Sequence, residues 1–201
     1  MALDPFYPVV DSAAWIRRLL SLGARLVQLR VKDRATDVVH SEITAAHRAC
    51  RDHGATLVVN DYWQHAIDLR CDWVHLGQED LDGADVPALR RAGIRLGIST
   101  HDDAELDRAL RFAPNYVALG PIYPTRLKAM PFAPQGLAKL GIWKARLGAI
   151  PLVGIGGIGL ERAPGVLEAG ADVAAVVTDI TLDPDPDART RAWVSETRRF
   201  A

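Results

Sequence analysis

The chain has 201 residues, of which 49% are hydrophobic and 24% are charged, and its formal net charge is −1. These values predict a single globular domain, residues 1–201, that is large enough to bury a full core. They argue against nucleic acid or an anionic membrane as a partner, because the chain has no bulk charge that would attract either.

Strand-like and helix-like patterns alternate along the chain. Short apolar runs that favour strands lie at residues 6–10, 26–32, 57–61, from 73 onward, 95–99, 116–121, 150–155 and 173–177. Helical patterns lie after Asp11 or Ser12, before Gly54, between the third and fourth strands, at 86–92, 102–112 and 136–147, after Gly159 and after Asp187. Such strict alternation predicts a parallel sheet with helical crossovers.

The number of units indicates the architecture. Eight β/α units favour an α/β fold of the (β/α)8, or TIM-barrel, type over an open doubly wound sheet, which is the alternative. The near-continuous apolar strands at Leu57, Ile150 and Val173 agree with burial on both faces of the sheet. The chain length is at the lower limit for this fold, so the loops must be short.

Two neighbouring strands are each followed by a carboxylate. Asp61 ends the run that begins at Leu57, and Asp80 follows the run that begins at Trp73. Parallel strands would bring both carboxylates to the rim where the active sites of this fold gather. Two acids there can hold Mg²⁺, which completes its shell with waters and substrate phosphates. In the alternative interpretation, Asp61 caps a helix and Asp80 lies in a surface turn.

The second strand supplies polar side chains to the same rim. Gln28, Arg30 and Lys32 occupy alternate positions, so they share one face of the strand. Leu29 and Val31 are the natural outward residues, because helices cover the outer face of a parallel barrel. The pattern therefore predicts a polar, doubly positive wall that faces inward.

A second anion site is predicted after the last two strands. Loops at this position often bind phosphate in TIM barrels. Gly156 and Gly157 would let the backbone approach a phosphate closely, and Thr178 precedes a short helical turn. A tight turn between strand and helix would also use two glycines, so this alternative stays open.

Two anion sites on one rim suggest two phosphorylated small molecules as the partners. Mg²⁺ between Asp61 and Asp80 could bridge a diphosphate whose outer oxygens meet Arg30 and Lys32, with Lys128 as a third candidate cation. No serine or cysteine with an adjacent base can be read from the sequence. We therefore expect catalysis by stabilisation of a departing anionic group.

Seven short motifs occur in order from the second strand to the eighth. They are QLRVK at 28–32, ND at 60–61, VHLGQED at 74–80, LGISTH at 96–101, LGPIYPT at 119–125 with Lys128, GIGGI at 154–158 and GAD at 170–172. Together they resemble the thiamine phosphate synthase family. The resemblance implies a TIM-barrel transferase that joins hydroxymethylpyrimidine diphosphate to a thiazole phosphate and releases pyrophosphate. It also implies that the diphosphate departs first and that the thiazole nitrogen captures the resulting pyrimidine cation.

The resemblance also implies roles for individual residues. The Mg²⁺ ligands would be Asp61 and Asp80, and the catalytic cations Arg30, Lys32 and Lys128. The pyrimidine diphosphate would meet Gln28, Leu29, Arg30, Val31, Lys32, Asn60, His75, Ser99 and Lys128. The thiazole phosphate would meet Thr125, Arg126, Leu127, Gly157, Val177 and Thr178. For His75, a packed core histidine is an equal alternative.

Two departures from the family pattern concern the thiazole side. Leu127 stands where the family commonly has Thr, so it cannot donate a side-chain hydrogen bond, and Thr178 stands where the family usually has Ser. Three rival functions stay open: a thiazole tautomerase, another phosphate-sugar barrel enzyme, and a regulator that binds thiamine phosphate without turnover. The tautomerase would need a histidine just after the sixth strand, and Gly120-Pro121-Ile122 contains none.

The expected setting is the reducing cytoplasm. No apolar run approaches the roughly 18 residues that span a bilayer, and the first residues lack the basic-then-apolar pattern of a signal peptide. Cys50 and Cys71 form no CxxC pair, and we assign neither a role. A homodimer is compatible with the sequence.

Overall fold

A closed barrel of eight parallel strands forms the centre of the protein in a computed structural model that describes residues 3–125 and 132–201. The strands are β1 (Phe6–Val10), β2 (Leu26–Leu29), β3 (Thr56–Asn60), β4 (Trp73–Leu76), β5 (Arg95–Thr100), β6 (Tyr116–Leu119), β7 (Leu152–Ile155) and β8 (Val173–Val176). Each strand pairs with the next, and β8 pairs with β1 through Phe6–Ala174 and Tyr7–Ala175. This closure confirms the predicted TIM barrel and excludes the open sheet.

Helices surround the barrel in the predicted order. They are α1 (Ala13–Ser21), α2 (Thr36–Asp52), α3 (Trp63–Asp68), α4 (Val86–Arg91), α5 (Asp103–Arg111), α6 (Gly136–Leu147), α7 (Ala163–Glu168), α8 (Thr178–Thr181) and α9 (Pro186–Thr197). Of the two predicted caps of α1, Ser12 is the one used, and its hydroxyl accepts from the Trp15 N–H at 3.4 Å. Among the described helices, none is long and apolar enough to cross a bilayer.

Two details differ from the sequence-based expectation. The second strand ends at Leu29 rather than Lys32, although the Arg30 N–H still donates to the Val10 carbonyl at 2.7 Å. The seventh strand begins at Leu152 rather than Ile150, since Pro151 has no N–H to donate to a ladder. The short helical turn predicted near Thr178 is α8, and the longer helix α9 follows it.

Side chains fill the barrel interior, and a larger apolar layer lies between strands and helices. The interior cluster contains Tyr7, Leu26, Val58, Trp73, Tyr116, Ala118, Val153, Val173 and Ala175. Gly97 on β5 makes room for one of them, because a Cβ at this position would overlap the Tyr116 ring. The packed interior leaves the carboxyl-terminal rim of the strands as the place for ligands.

Candidate active site

The parallel barrel brings most predicted site residues to one rim. Arg30 and Lys32 follow β2, Asp61 follows β3, Asp80 follows β4, and Gly157 follows β7. Asn60, His75 and Ser99 lie at or near the carboxyl ends of their own strands. All these positions share one end of the barrel because all eight strands are parallel.

The two predicted acids form a pair at this rim. Burial raises the pKa of Asp80, and the nearby charge of Asp61 raises it further, while Lys32 opposes the shift. Lys32 donates to the Asp61 carboxylate through its Nζ. The Asp80 carboxylate accepts from the Gly77 N–H at 3.1 Å. Asp61 is thus not a helix cap, since α3 follows Tyr62 and no described side chain caps it.

This donor set fits a hard divalent cation. The charge of Asp61 disfavours ionisation of Asp80, and a cation between the two carboxylates would remove that cost. Mg²⁺ commonly takes one or two protein carboxylates and fills the rest of its shell with water and phosphate oxygens. Within residues 3–125 and 132–201 no group of three or more acidic, histidine or cysteine side chains is arranged for a metal. The pair would therefore leave most of the coordination shell to substrate and solvent.

A buried chain of hydrogen bonds leads from β2 across the barrel to the rim at β5. Gln28 Nε2 donates to the Tyr7 hydroxyl at 2.8 Å, and the hydroxyls of Tyr7 and Tyr116 are 3.0 Å apart. His75 Nδ1 lies 2.7 Å from the Tyr116 hydroxyl, and His75 Nε2 lies 2.7 Å from Ser99 Oγ. Gln28 thus faces inward as predicted. The sequence analysis missed Tyr7 and Tyr116, whose inward alternation with neighbouring apolar residues was the available signal.

The protonation state of His75 determines which groups donate and which accept along this series of hydrogen bonds. Burial lowers the pKa of His75 to about 4, so the imidazole is neutral near pH 7 and has one donor and one acceptor. With Gln28 donating, the Tyr7 O–H finds a described partner only by donating to Tyr116. Tyr116 then donates to Nδ1, and Nε2–H donates to Ser99. The Ser99 hydroxyl meets no other partner among the described residues, so its hydrogen can be donated to a ligand at the rim.

We expect His75 to make the fold sensitive to mild acid. Its folded pKa of about 4 lies below the ordinary value of 6.5, so between these values the unfolded chain binds a proton that the folded chain rejects. Stability therefore falls as pH drops through this window, by on the order of 3 kcal/mol. Urea unfolding at pH 7 and pH 4.5 should show a smaller difference for His75→Gln than for the wild type. Equal differences would contradict the prediction.

The loop after β7 is built on Gly156 and Gly157, which have φ of 98° and 66°. A Cβ on Gly157 would overlap the Pro124 carbonyl oxygen and approach Tyr123 Cβ to 2.9 Å. The Tyr123 N–H donates to the Gly156 carbonyl at 3.0 Å, so this loop packs directly against the loop after β6. The turn alone therefore accounts for the two glycines.

The support for an anion site comes from unused backbone donors. In the described part of the chain, the N–H groups of Gly157, Ile158 and Thr178 donate to no other residue. Successive backbone N–H groups near left-handed residues form concave sites that favour anions. Thr178 begins α8, as the predicted helical turn requires. The β7 and β8 loops therefore offer donors on the side of the rim away from the acid pair.

Some predicted residues do not present side chains to the rim. Leu29 and Val31 are buried between the barrel and its helices, so only their backbone can meet a ligand. Arg126, Leu127 and Lys128 lie outside the described residues. Thr125, the last described residue before them, and Val177, which directly follows β8, are both half-buried. Burial raises the pKa of Cys50 and of Cys71 to about 12, so neither supplies a thiolate.

Comparisons with known proteins agree on one family. Residues 6–180 match the family model described as thiamine monophosphate synthase. A thiamine-phosphate synthase of Rhizobium etli is 60% identical over 197 residues, which is 98% of this chain and 97% of that protein. One from Cronobacter sakazakii is 55% identical over 194 residues, covering 96% and 89% of the two chains.

Solved structures give the same result at the level of the fold. A thiamine phosphate pyrophosphorylase from Pyrococcus furiosus superposes with a TM-score of 0.86 at 25% identity, covering 98% of this chain and 96% of that one. A 3-hexulose-6-phosphate synthase, at 17% identity and a TM-score of 0.68, shares the fold. The family match spans most of the chain and both relatives exceed half identity, so this protein is an enzyme of the thiamine monophosphate synthase family.

Proposed function

We propose that this enzyme condenses 4-amino-2-methyl-5-hydroxymethylpyrimidine diphosphate with hydroxyethylthiazole phosphate, or its carboxylated form, to give thiamine phosphate and pyrophosphate. The names of its relatives support the reaction. The observation that carries the proposal is the presence of two separate polar regions on one rim. The Lys32, Asp61 and Asp80 group lies on the β2–β4 side. The N–H groups of Gly157 and Thr178, which donate to no other described residue, lie on the β7–β8 side.

The first region suits a diphosphate that must leave. Asp61 and Asp80 would hold Mg²⁺, which supplies positive charge beside the departing group when bound. Lys32 already lies against Asp61, and Arg30 is close enough to His75 to influence its pKa. Both cations could therefore stay in contact with the diphosphate as its negative charge increases. Positive charge placed where negative charge develops lowers the barrier without a nucleophile on the enzyme.

The rim above the packed interior would position the pyrimidine. The Ser99 hydroxyl is oriented by neutral His75, which is held in turn by Tyr116. A neutral imidazole keeps this wall from adding a charge beside the pyrimidine ring. After the diphosphate has departed, the thiazole nitrogen would attack the exocyclic carbon of the pyrimidine cation. Its phosphate would rest on the β7 and β8 loops.

The test is a steady-state assay of pyrophosphate release with both substrates, with Mg²⁺ or with excess EDTA. We expect release that requires both substrates and falls to background in EDTA. A thiazole tautomerase would release no pyrophosphate, and a regulator would bind thiamine phosphate without turnover. Undiminished release after metal removal would refute the metal site while leaving the reaction in place.

A further inference from the structure

Asp179 follows Thr178 directly, and the protein holds both oxygens of its carboxylate. Its oxygens accept four hydrogen bonds, from the Leu160 N–H at 3.0 Å, Arg189 Nε at 2.9 Å, Arg189 Nη2 at 2.8 Å and Trp193 Nε1 at 2.7 Å. Oδ2 accepts three of these bonds and Oδ1 accepts one, so the protein saturates Oδ2 and also holds Oδ1. Asp179 therefore connects the elements that carry these donors.

Those elements are the two loops of the proposed phosphate site. Leu160 belongs to the loop after β7, whereas Asp179 belongs to α8 after β8. Gly159 permits their close approach, because a Cβ there would lie 3.0 Å from Asp179 Oδ1. Arg189 and Trp193 anchor the same carboxylate to α9, and Trp193 is fully buried. One side chain thus ties both loops to a rigid helix.

The charge of Asp179 is compensated within this cluster. Burial would raise its pKa, but the hydrogen bonds from Arg189 and Trp193 and the charge of Arg189 hold it below the ordinary value. Asp179 is therefore ionised at neutral pH and paired with Arg189. Without this pairing, a carboxylate one residue from Thr178 would repel a phosphate.

We propose that Asp179 is a positioning residue that fixes the β7 and β8 loops relative to each other and so sets the affinity for the thiazole phosphate. This inference rests on the proposed function. The pyrimidine diphosphate would bind on the opposite side of the rim, which Asp179 does not touch. Loss of the clamp should therefore weaken one substrate and spare the other.

The test compares Asp179→Asn with the wild type in the full-length enzyme. The amide replaces one accepting oxygen by a donor, which breaks at least one charge-assisted hydrogen bond of the clamp. We expect the KM for hydroxyethylthiazole phosphate to rise about tenfold, with the KM for the pyrimidine diphosphate and kcat each within about twofold. Calorimetric titration with each substrate alone should show weaker binding of the thiazole phosphate and unchanged binding of the pyrimidine diphosphate.

Gly159→Ala provides a milder second variant. Gly159 has φ −101° and ψ 169°, a conformation that alanine adopts without strain, so the new methyl only crowds Asp179 Oδ1 and Glu161 Oε2. We expect about a threefold rise in the KM for the thiazole phosphate. Glu161→Gln is the matched control, because Glu161 also accepts from Arg189 at 2.9 Å but is 73% exposed, and its loss should leave both KM values unchanged.

The outcomes separate this inference from the proposed function. If wild-type enzyme releases pyrophosphate but Asp179→Asn changes both KM values equally, or neither, the positioning role is refuted. If the wild type binds the thiazole phosphate without turnover, the reaction is refuted, and the calorimetric split still tests Asp179. Wild-type protein that binds no thiazole phosphate would overturn both.

Discussion

Asp61→Asn and Asp80→Asn are each expected to lower Mg²⁺-dependent turnover by on the order of 100- to 1000-fold. Each change removes half of the charge of the Asp61–Asp80 pair, so a divalent cation would bind weakly and out of place. Asparagine is the right replacement at Asp61, where φ is 64°. Asparagine tolerates this left-handed conformation better than alanine, so the loss can be assigned to the charge.

Asp80→Asn is expected to lose activity without losing stability. Burial and the Asp61 charge both disfavour the ionised form of Asp80. Asp80→Asn removes that repulsion, so its melting temperature is expected to equal or exceed that of the wild type while its activity is lost. A residue kept at a cost to stability is typical of a functional site.

Asp82→Asn is the matched control for the acid pair. Asp82 belongs to the same short 3-10 turn, Asp80–Asp82, but its side chain is 81% exposed and pairs with Arg108. The activity of Asp82→Asn should stay within about twofold of the wild type, because an exposed ion pair contributes little to stability. Pyrophosphate release should be measured for all three variants across a Mg²⁺ titration. Full activity of either rim variant, or an equal loss in Asp82→Asn, would contradict the cation site.

The sequence contains enough information to place the rim residues. Eight alternating units dictate parallel strands, and parallel strands put all their carboxyl ends on one face. Asp61, Asp80 and Gln28 could therefore be brought together from positions in the chain alone. The inward direction of Gln28 followed from the two-residue period of a strand and from the apolar outer face.

The side-chain partners could not be predicted in the same way. Tyr7 and Tyr116 are separated by 109 positions in the chain, and their contact depends on the stagger of strands around the closed barrel. Asp179 gave no signal beyond an acidic residue after Thr178, because its partners lie on two other segments, Leu160 after β7 and Arg189 and Trp193 on α9. Patterns in the sequence report which face a residue occupies, whereas the partner across that face depends on tertiary packing.

Gly157→Ala is expected to lower kcat/KM for the thiazole phosphate by on the order of 100-fold and to spare the affinity for the pyrimidine diphosphate. The new methyl would overlap the Pro124 carbonyl oxygen and press on Tyr123, at a residue whose φ is 66°. The β6 and β7 loops must then separate, and the N–H of Gly157 moves with them. A displacement of about 1 Å in a binding group can cost a hundredfold in rate.

Gly93→Ala separates this packing effect from backbone strain. Gly93 has φ 76°, but a Cβ there meets nothing within 4 Å, and it precedes β5 at the opposite end of the barrel. Its replacement should cost about 1 kcal/mol of stability through φ alone and leave the kinetics unchanged. Kinetics with each substrate varied in turn, and urea unfolding of both variants, make the comparison. If Gly157→Ala lost only as much stability as Gly93→Ala and kept its kcat/KM for the thiazole phosphate, the β7 loop would not bind that phosphate.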